Sequence, residues 1–190
     1  MTRALALLLL CGAAHAGKLD YLEAKNAPRA RAADARLRKL VGKPPPPLVS
    51  IRNLWTYEVL PIERRRDASV PKETFDRFLR CHWTNEPTDM DPRLQAVLVA
   101  AAVRFEADRI EIVSGFRAPK FNLMLRKKGH EVARDSQHTY GHAVDFRVPG
   151  VPTRRLLEQV RSMSLGGVGF YPDSAFVHAD TGPVRYWAGR

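Results

Sequence analysis

The stretch Ser136-Gln137-His138-Thr139-Tyr140-Gly141-His142-Ala143-Val144-Asp145-Phe146-Arg147-Val148 reads as a turn followed by a strand. Gly141 gives the backbone freedom for the turn after His138. From Ala143 onward the residues alternate. Ala143, Asp145 and Arg147 share one face, and Val144, Phe146 and Val148 share the other. An apolar face calls for a layer packed against it; the charged face is left for solvent or a site.

Downstream, Thr153 to Met163 has a helical pattern with Thr153 as its cap. Short strands follow around Gly167–Tyr171, Phe176–Asp180 and Val184–Trp187. Upstream, Pro119 to Lys128 is a helix with Gly129 as its stop, and Arg109 to Ser114 is a strand. Asp91-Pro92 opens a helix running to about Phe105, with Leu94, Val97, Leu98 and Ala101 along one side. Pro71 opens a shorter one carrying Phe75, Phe78 and Leu79. Val49 to Leu54 alternates as a strand, and Trp55 to Ile62 returns as its hairpin partner without any tight-turn signal between them. There are no internal repeats. This order predicts an α+β domain over residues 48–190, with helices packed on a small, mainly antiparallel sheet.

The chain has 190 residues, 45% hydrophobic and 27% charged, enough for one domain with a core. Its start is unusual. Arg3 precedes an apolar run from Ala4 to Leu10 and small residues ending Ala14-His15-Ala16, the order of a secretory signal peptide over residues 1–16. The run is too short for a membrane-spanning helix, so the mature chain is expected to have no transmembrane segment. Cys11 raises a lipoprotein alternative, which the large Leu10 before it argues against. Removal of the signal leaves Cys81 as the lone cysteine, read as a small buried apolar residue. Residues 17–47 form an Ala/Arg-rich basic arm ending in the polyproline Pro44 to Pro47, a tether. The formal net charge is +11, which favours polyanions. For an exported protein in the periplasm or cell envelope, the acidic wall and anionic lipids suit that charge better than nucleic acid.

Three segments carry chemistry: Ser136 to Asp145, Phe176 to Asp180, and Ser114-Gly115-Phe116-Arg117. Histidine and carboxylate suit zinc, and a catalytic zinc keeps three protein ligands plus water. His138 and Asp145 could converge across the turn, with His178 completing the set from another strand. Spacing alone also fits an exposed polar loop and a satisfied histidine. Asp180 shares a strand face with His178, where it could orient a ligand or act on a bound water. His82 and His130 are read as structural or solvated.

The string Ser136-x-His138-x-x-Gly141-x-Ala143-x-Asp145 with the later His178 resembles the LAS metallopeptidases, which include lysostaphin-type enzymes, zinc D-alanyl-D-alanine peptidases and the sonic hedgehog fold. More narrowly, the chain is similar to the YcbK-like murein endopeptidases. The matching stretches are Asp91 to Leu94, Ile112 to Pro119, Asn122-x-Met124-Leu125-Arg126, Val148 to Val151, Gly166 to Pro172, Phe176 to Gly182 and the terminal Arg185 to Trp187, in order within roughly 48–187. The resemblance implies zinc on His138, Asp145 and His178 and hydrolysis of amide bonds between wall stem peptides. It makes Arg117 the cation for an oxyanion or a substrate carboxylate, with Ser136 binding substrate or capping the turn. Many relatives place a carboxylate three residues before the last histidine. Here that residue is Ala175, so the base is expected at Asp180, with Asp173 a looser choice. A zinc-containing peptidoglycan-binding module without catalysis is the alternative, and a charge-driven polyanion binder a third reading. Cross-link endopeptidase and carboxypeptidase activities both fit.

Overall fold

The computed structural model describes residues 46–130 and 132–189, together with Pro28, Arg31 and Ala32, which are helical and exposed. The chain divides into two compact units, Met1–Pro45 and Pro46–Arg190, and the strands and helices given below belong to the second. The signal segment 1–16, Cys11 and nearly all of the arm over 17–47 lie outside the described residues. No helix among the described residues is long and apolar enough to cross a membrane.

Alternating apolar residues build seven strands: β1 (Leu48–Asn53), β2 (Val59–Glu63), β3 (Arg109–Ser114), β4 (Ala143–Arg147), β5 (Gly167–Tyr171), β6 (Phe176–Asp180) and β7 (Arg185–Ala188). They form one sheet in the order β2-β1-β3-β4-β6-β5-β7. The β1–β3 and β5–β7 pairs are parallel, and the other four are antiparallel. The α+β expectation holds.

The hairpin between β1 and β2 forms without Gly or Pro at its turn. Asn53 takes over that work. Its Oδ1 accepts from the Trp55 and Thr56 amides at 2.9 and 3.2 Å, an Asx turn, and Tyr57 completes the reversal at φ 60°.

Four helices cover one side of the sheet or its flanks: α1 (Lys72–Phe78), α2 (Arg93–Arg104), α3 (Pro119–Lys127) and α4 (Thr153–Ser162). Asp91 starts α2 as expected, its Oδ1 accepting from the Arg93 amide at 2.9 Å. Gly129 stops α3 at φ 84°. Thr153 is not a cap: Pro152 holds that position with extended backbone, and no side chain bonds the first turn.

The core lies between the apolar sheet face and the helices. Leu94, Val97, Leu98 and Ala101 from α2 and Leu156 and Val160 from α4 meet Ile110, Ile112, Val144, Phe146, Val168 and Val177. Val144 and Phe146 point into it as their alternation demands, which turns Asp145 to the opposite face.

A short 3₁₀ turn, Gln137–Tyr140, leads into β4 and ends at Gly141 in the left-handed region, φ 75°. A Cβ on Gly141 would collide with the Asp89 carbonyl oxygen and crowd the Thr88 methyl group. Gly141→Ala therefore combines a disfavoured φ with a backbone clash. It is expected to cost about 1–3 kcal/mol of stability, read as a lower melting temperature; an unchanged melt would contradict this account of the turn.

Candidate metal centre

Register across the sheet assembles the site. Asp145 on β4 faces His178 on β6, His178 faces Gly169 on β5, and Gly169 faces Trp187 on β7. One row therefore crosses four strands on the face away from the core. On the other side of Asp145 stands Ser114 of β3. Simple alternation would put Ser114 on the core face with Ile112. A bulge between Ile112 and Ser114 shifts the phase and brings Ser114 opposite Asp145.

His138 comes to this row from the 3₁₀ turn. Three ligand atoms, one each from His138, Asp145 and His178, lie within 4.8 Å of one another, and all three residues are buried. This group could hold a metal ion.

The hydrogen bonds behind the three residues decide which atoms face inward. His138 Nδ1 is 2.8 Å from the Gly115 carbonyl oxygen. A carbonyl only accepts, so Nδ1 carries the proton and Nε2 presents a lone pair. Burial pushes the His138 pKa down, which keeps the ring neutral. On the other side His178 Nε2 donates to Asp180 Oδ2 at 2.9 Å, leaving Nδ1 to face His138 Nε2 at 3.1 Å and Asp145 Oδ1 at 2.8 Å. Asp145 Oδ2 lies 3.2 Å from His138 Nε2. Two ring nitrogens and a carboxylate thus converge on one point, and only a positive species between them satisfies all three. In the metal-free chain that species is a proton. Burial opposes charge on His178, but bonds to Asp145 and Asp180 outweigh it and raise its pKa to about 9. Burial likewise opposes the Asp145 charge and is overcome by the two histidines, which hold it well below the usual carboxylate range.

Both oxygens of the Asp180 carboxylate are engaged by donors of the protein itself, and its side chain is 0% exposed. Oδ1 accepts from the Gly167 and Gly182 amides at 2.9 Å, and Oδ2 accepts from His178 and, at 2.7 Å, from Arg185. These donors outweigh burial and hold its carboxyl well below the usual range. It stands behind His178, outside the cleft, with no lone pair turned toward a water there. Asp173 is exposed in the β5–β6 turn and does not line the cleft either. Ala175 in that turn adopts φ 53°.

The convergent point opens onto a cleft of about 590 Å³ lined by Arg117, Ser136, Tyr171 and Trp187 together with the triad. Arg117 is buried and pinned, donating to Asn122 Oδ1 and Ser114 Oγ at 3.3 Å, with its guanidinium 3.9 Å from Asp145. Ser136 is buried on the cleft wall and makes no cap bond to the turn.

Tyr171 and Trp187 had no assigned role in the sequence reading. The Trp187 indole donates to the Tyr171 hydroxyl at 3.0 Å, and its rings lie 5.1 Å from His178. A side chain on Gly169 would meet the Trp187 ring at 2.6 Å, so the bare glycine opposite Trp187 was the available signal. The cleft also admits His130 and Asp135 from the loop before the 3₁₀ turn.

The family described as "Peptidoglycan L,D-endopeptidase MepK", Peptidase M15_2, matches residues 45–187. The "Probable peptidoglycan L,D-endopeptidase MepK" of Haemophilus influenzae is 35% identical over 155 residues, covering 79% of this chain and 83% of that protein. The "Peptidoglycan L,D-endopeptidase MepK" of Escherichia coli K12 is 33% identical over 154 residues, 76% of this chain and 81% of that protein. No solved structure matches.

Proposed function

The chain belongs to the peptidoglycan L,D-endopeptidase MepK family, and from this premise we propose that it holds zinc on His138, Asp145 and His178 and hydrolyses the L,D-peptide bond of cross-linked stem peptides in the cell wall. The observation that carries this reading is the convergence of three buried ligand atoms, one each from His138, Asp145 and His178, at the floor of the cleft. A two-histidine, one-carboxylate set fits a catalytic zinc, which keeps its fourth position open. Bound there, zinc would supply a Lewis acid for the scissile carbonyl and a water of lowered pKa.

The chain's own groups do the rest. Gly115 and Asp180 fix the tautomers of His138 and His178. Arg117 offers a fixed positive charge to the oxygen that becomes negative, or a fork to a substrate carboxylate. The Tyr171 hydroxyl accepts the Trp187 proton, so its own proton is free for the substrate. Ser136 stands on the wall as a further polar contact. With Asp180 engaged, the proton acceptor moves to the loop side of the cleft, where Asp135 and His130 stand. Export through the 1–16 signal would bring the chain to the envelope where its substrate lies.

The test is digestion of purified cross-linked muropeptides by zinc-loaded protein, read by mass spectrometry. Conversion of dimers to monomers with gain of one water, stopped by a chelator, is the expected result. Loss of single terminal residues would make it a carboxypeptidase. Stoichiometric zinc with intact dimers would make it a wall-binding module.

Asp180 is proposed as a positioning residue. Asp180→Asn removes the charge that backs His178 and is expected to weaken zinc binding about 10–100-fold, with turnover at saturating zinc falling less. Normal zinc affinity with abolished turnover would return Asp180 to the role of base.

The raised pKa of His178 sets a pH dependence. Its contribution to the stability of metal-free protein is fully present below the ordinary histidine value of 6.5 and is lost as pH rises through about 9. The melting temperature of metal-free protein should fall between those values. Zinc has to displace the same proton, so its affinity should rise about tenfold per pH unit below 9. The zinc-induced gain in melting temperature is then larger at pH 8 than at pH 6; an equal gain at both would contradict the proton count.

A further inference from the structure

Four aromatic rings outside the groups used above form a chain of contacts on the surface. Trp55 stacks on His82 with centroids 4.4 Å apart and planes within 6°. His82 meets Phe121 edge-on at 4.9 Å, and Phe121 stacks with Trp83 at 5.7 Å and 13°. The two outer indoles remain 58% and 52% exposed although each has a ring stacked against it. Two half-bare tryptophans at the two ends of one chain of ring contacts are an unusual apolar surface and mark an interaction site.

The rings are held in place. Trp55 Nε1 donates to the Val113 carbonyl at 2.8 Å, at the bulge that also sets Ser114. Asn53 bonds the Trp55 amide and, through Nδ2, the Phe78 carbonyl at 3.1 Å, locking the hairpin turn to the end of α1. The loop bearing His82 and Trp83 is closed by Cys81 N to Glu86 O at 3.0 Å and Asn85 N to Cys81 O at 2.7 Å. Phe121 sits in the first turn of α3. The loop that carries the stack is tied to the cleft wall through the backbone. The Phe116 amide bonds the Leu79 carbonyl just before this loop, and the next residue, Arg117, bonds the His138 carbonyl. Burial first and the Arg117 charge second lower the His82 pKa, so that ring is a neutral spacer.

We propose that the Trp55–His82–Phe121–Trp83 stack is a saccharide platform that seats the glycan strand of peptidoglycan beside the peptide cleft. This rests on the hydrolase reading above, because the substrate of that reaction carries its peptides on a β-linked sugar chain. The Trp55 indole N–H is spent inside the protein, so the ring offers its carbon face. A pyranose ring has a flat side of C–H groups that packs on such a face while its hydroxyls stay in water. Rigid indoles lose little entropy on binding. A lipid surface suits the stack less well. The neighbouring cation Arg80 is tied to Glu58 at 2.7 Å and to Asn85, so it is not offered to an anionic headgroup.

The experiment uses the full zinc-loaded chain and peptide-free glycan strands, with Trp55→Ala/Trp83→Ala and Trp55→Phe/Trp83→Phe variants. Binding is measured by co-sedimentation, and melting temperature and zinc content check folding. The alanine pair should bind strands about tenfold more weakly or worse. The phenylalanine pair should keep most of the affinity. Hydrolysis of glycan-free cross-linked peptides should be unchanged in both. Equal strand binding by wild type and the alanine pair, no strand binding by wild type, or a loss seen only toward anionic phospholipid vesicles would each overturn the proposal. Wild type that binds strands but cleaves no peptide would sink the hydrolase reading and leave the platform standing.

Discussion

His178→Ala should leave the protein without zinc and without activity. Of the three proposed ligands, His178 has the most support around it: Asp180 behind, Asp145 across the β4–β6 pair, Trp187 alongside. Losing an outer partner of a ligand costs 10–100-fold, so losing the ligand itself should lower hydrolysis by roughly 1000-fold or more. Zinc content should fall from about one per chain toward zero. The substitution also strands charge, since Asp145 and Asp180 both lose the ring between them, so lower stability is expected as well. Full zinc occupancy in a folded His178→Ala protein would remove His178 from the ligand set. Thermal melting and metal analysis on the same sample separate that outcome from simple unfolding.

The second large effect is expected at Arg117. Removing a preorganised donor to a developing oxyanion typically costs about 100–1000-fold in turnover, and Arg117→Ala should fall in that range with zinc retained. The arginine is aimed by Ser114 and Asn122 and stands beside the metal point without facing it as a ligand. Arg117→Lys keeps the charge but loses the fork that bonds both partners, so it should recover only part of the rate. If Arg117 instead clamps a substrate carboxylate, KM rises more than kcat falls. Normal turnover and KM in Arg117→Ala would exclude both roles.

The period of two in Ala143 to Val148 is visible from side chains alone, and it already put Asp145 opposite the apolar face. The same reasoning placed His178 and Asp180 together on β6. What joins them is register, and register depends on partners that local pattern does not reveal. Nothing in Arg109 to Ser114 announces the bulge that turns Ser114 toward Asp145, because a bulge is set by the pairing strand. The parallel pairs β1–β3 and β5–β7 were hidden for the same reason. The strand face of Asp180 was legible in the sequence, but the partners that occupy its two oxygens were not. The Gly167 and Gly182 amides and Arg185 reach it only once β5 and the β6–β7 turn are folded. The aromatic stack brings together residues 55, 82, 83 and 121, which belong to three separate segments of the chain.

Gly115 and Asp180 bond the outer nitrogens of the two histidines, which leaves His138 Nε2, His178 Nδ1 and an Asp145 oxygen to face the proposed ion. Anomalous diffraction at the zinc edge from crystals of zinc-loaded protein measures this directly. One strong peak about 2.0–2.2 Å from each of those three atoms is the result expected of a zinc with nitrogen and carboxylate ligands. A peak elsewhere on the chain, or no peak at this point in protein that has taken up zinc, would contradict it.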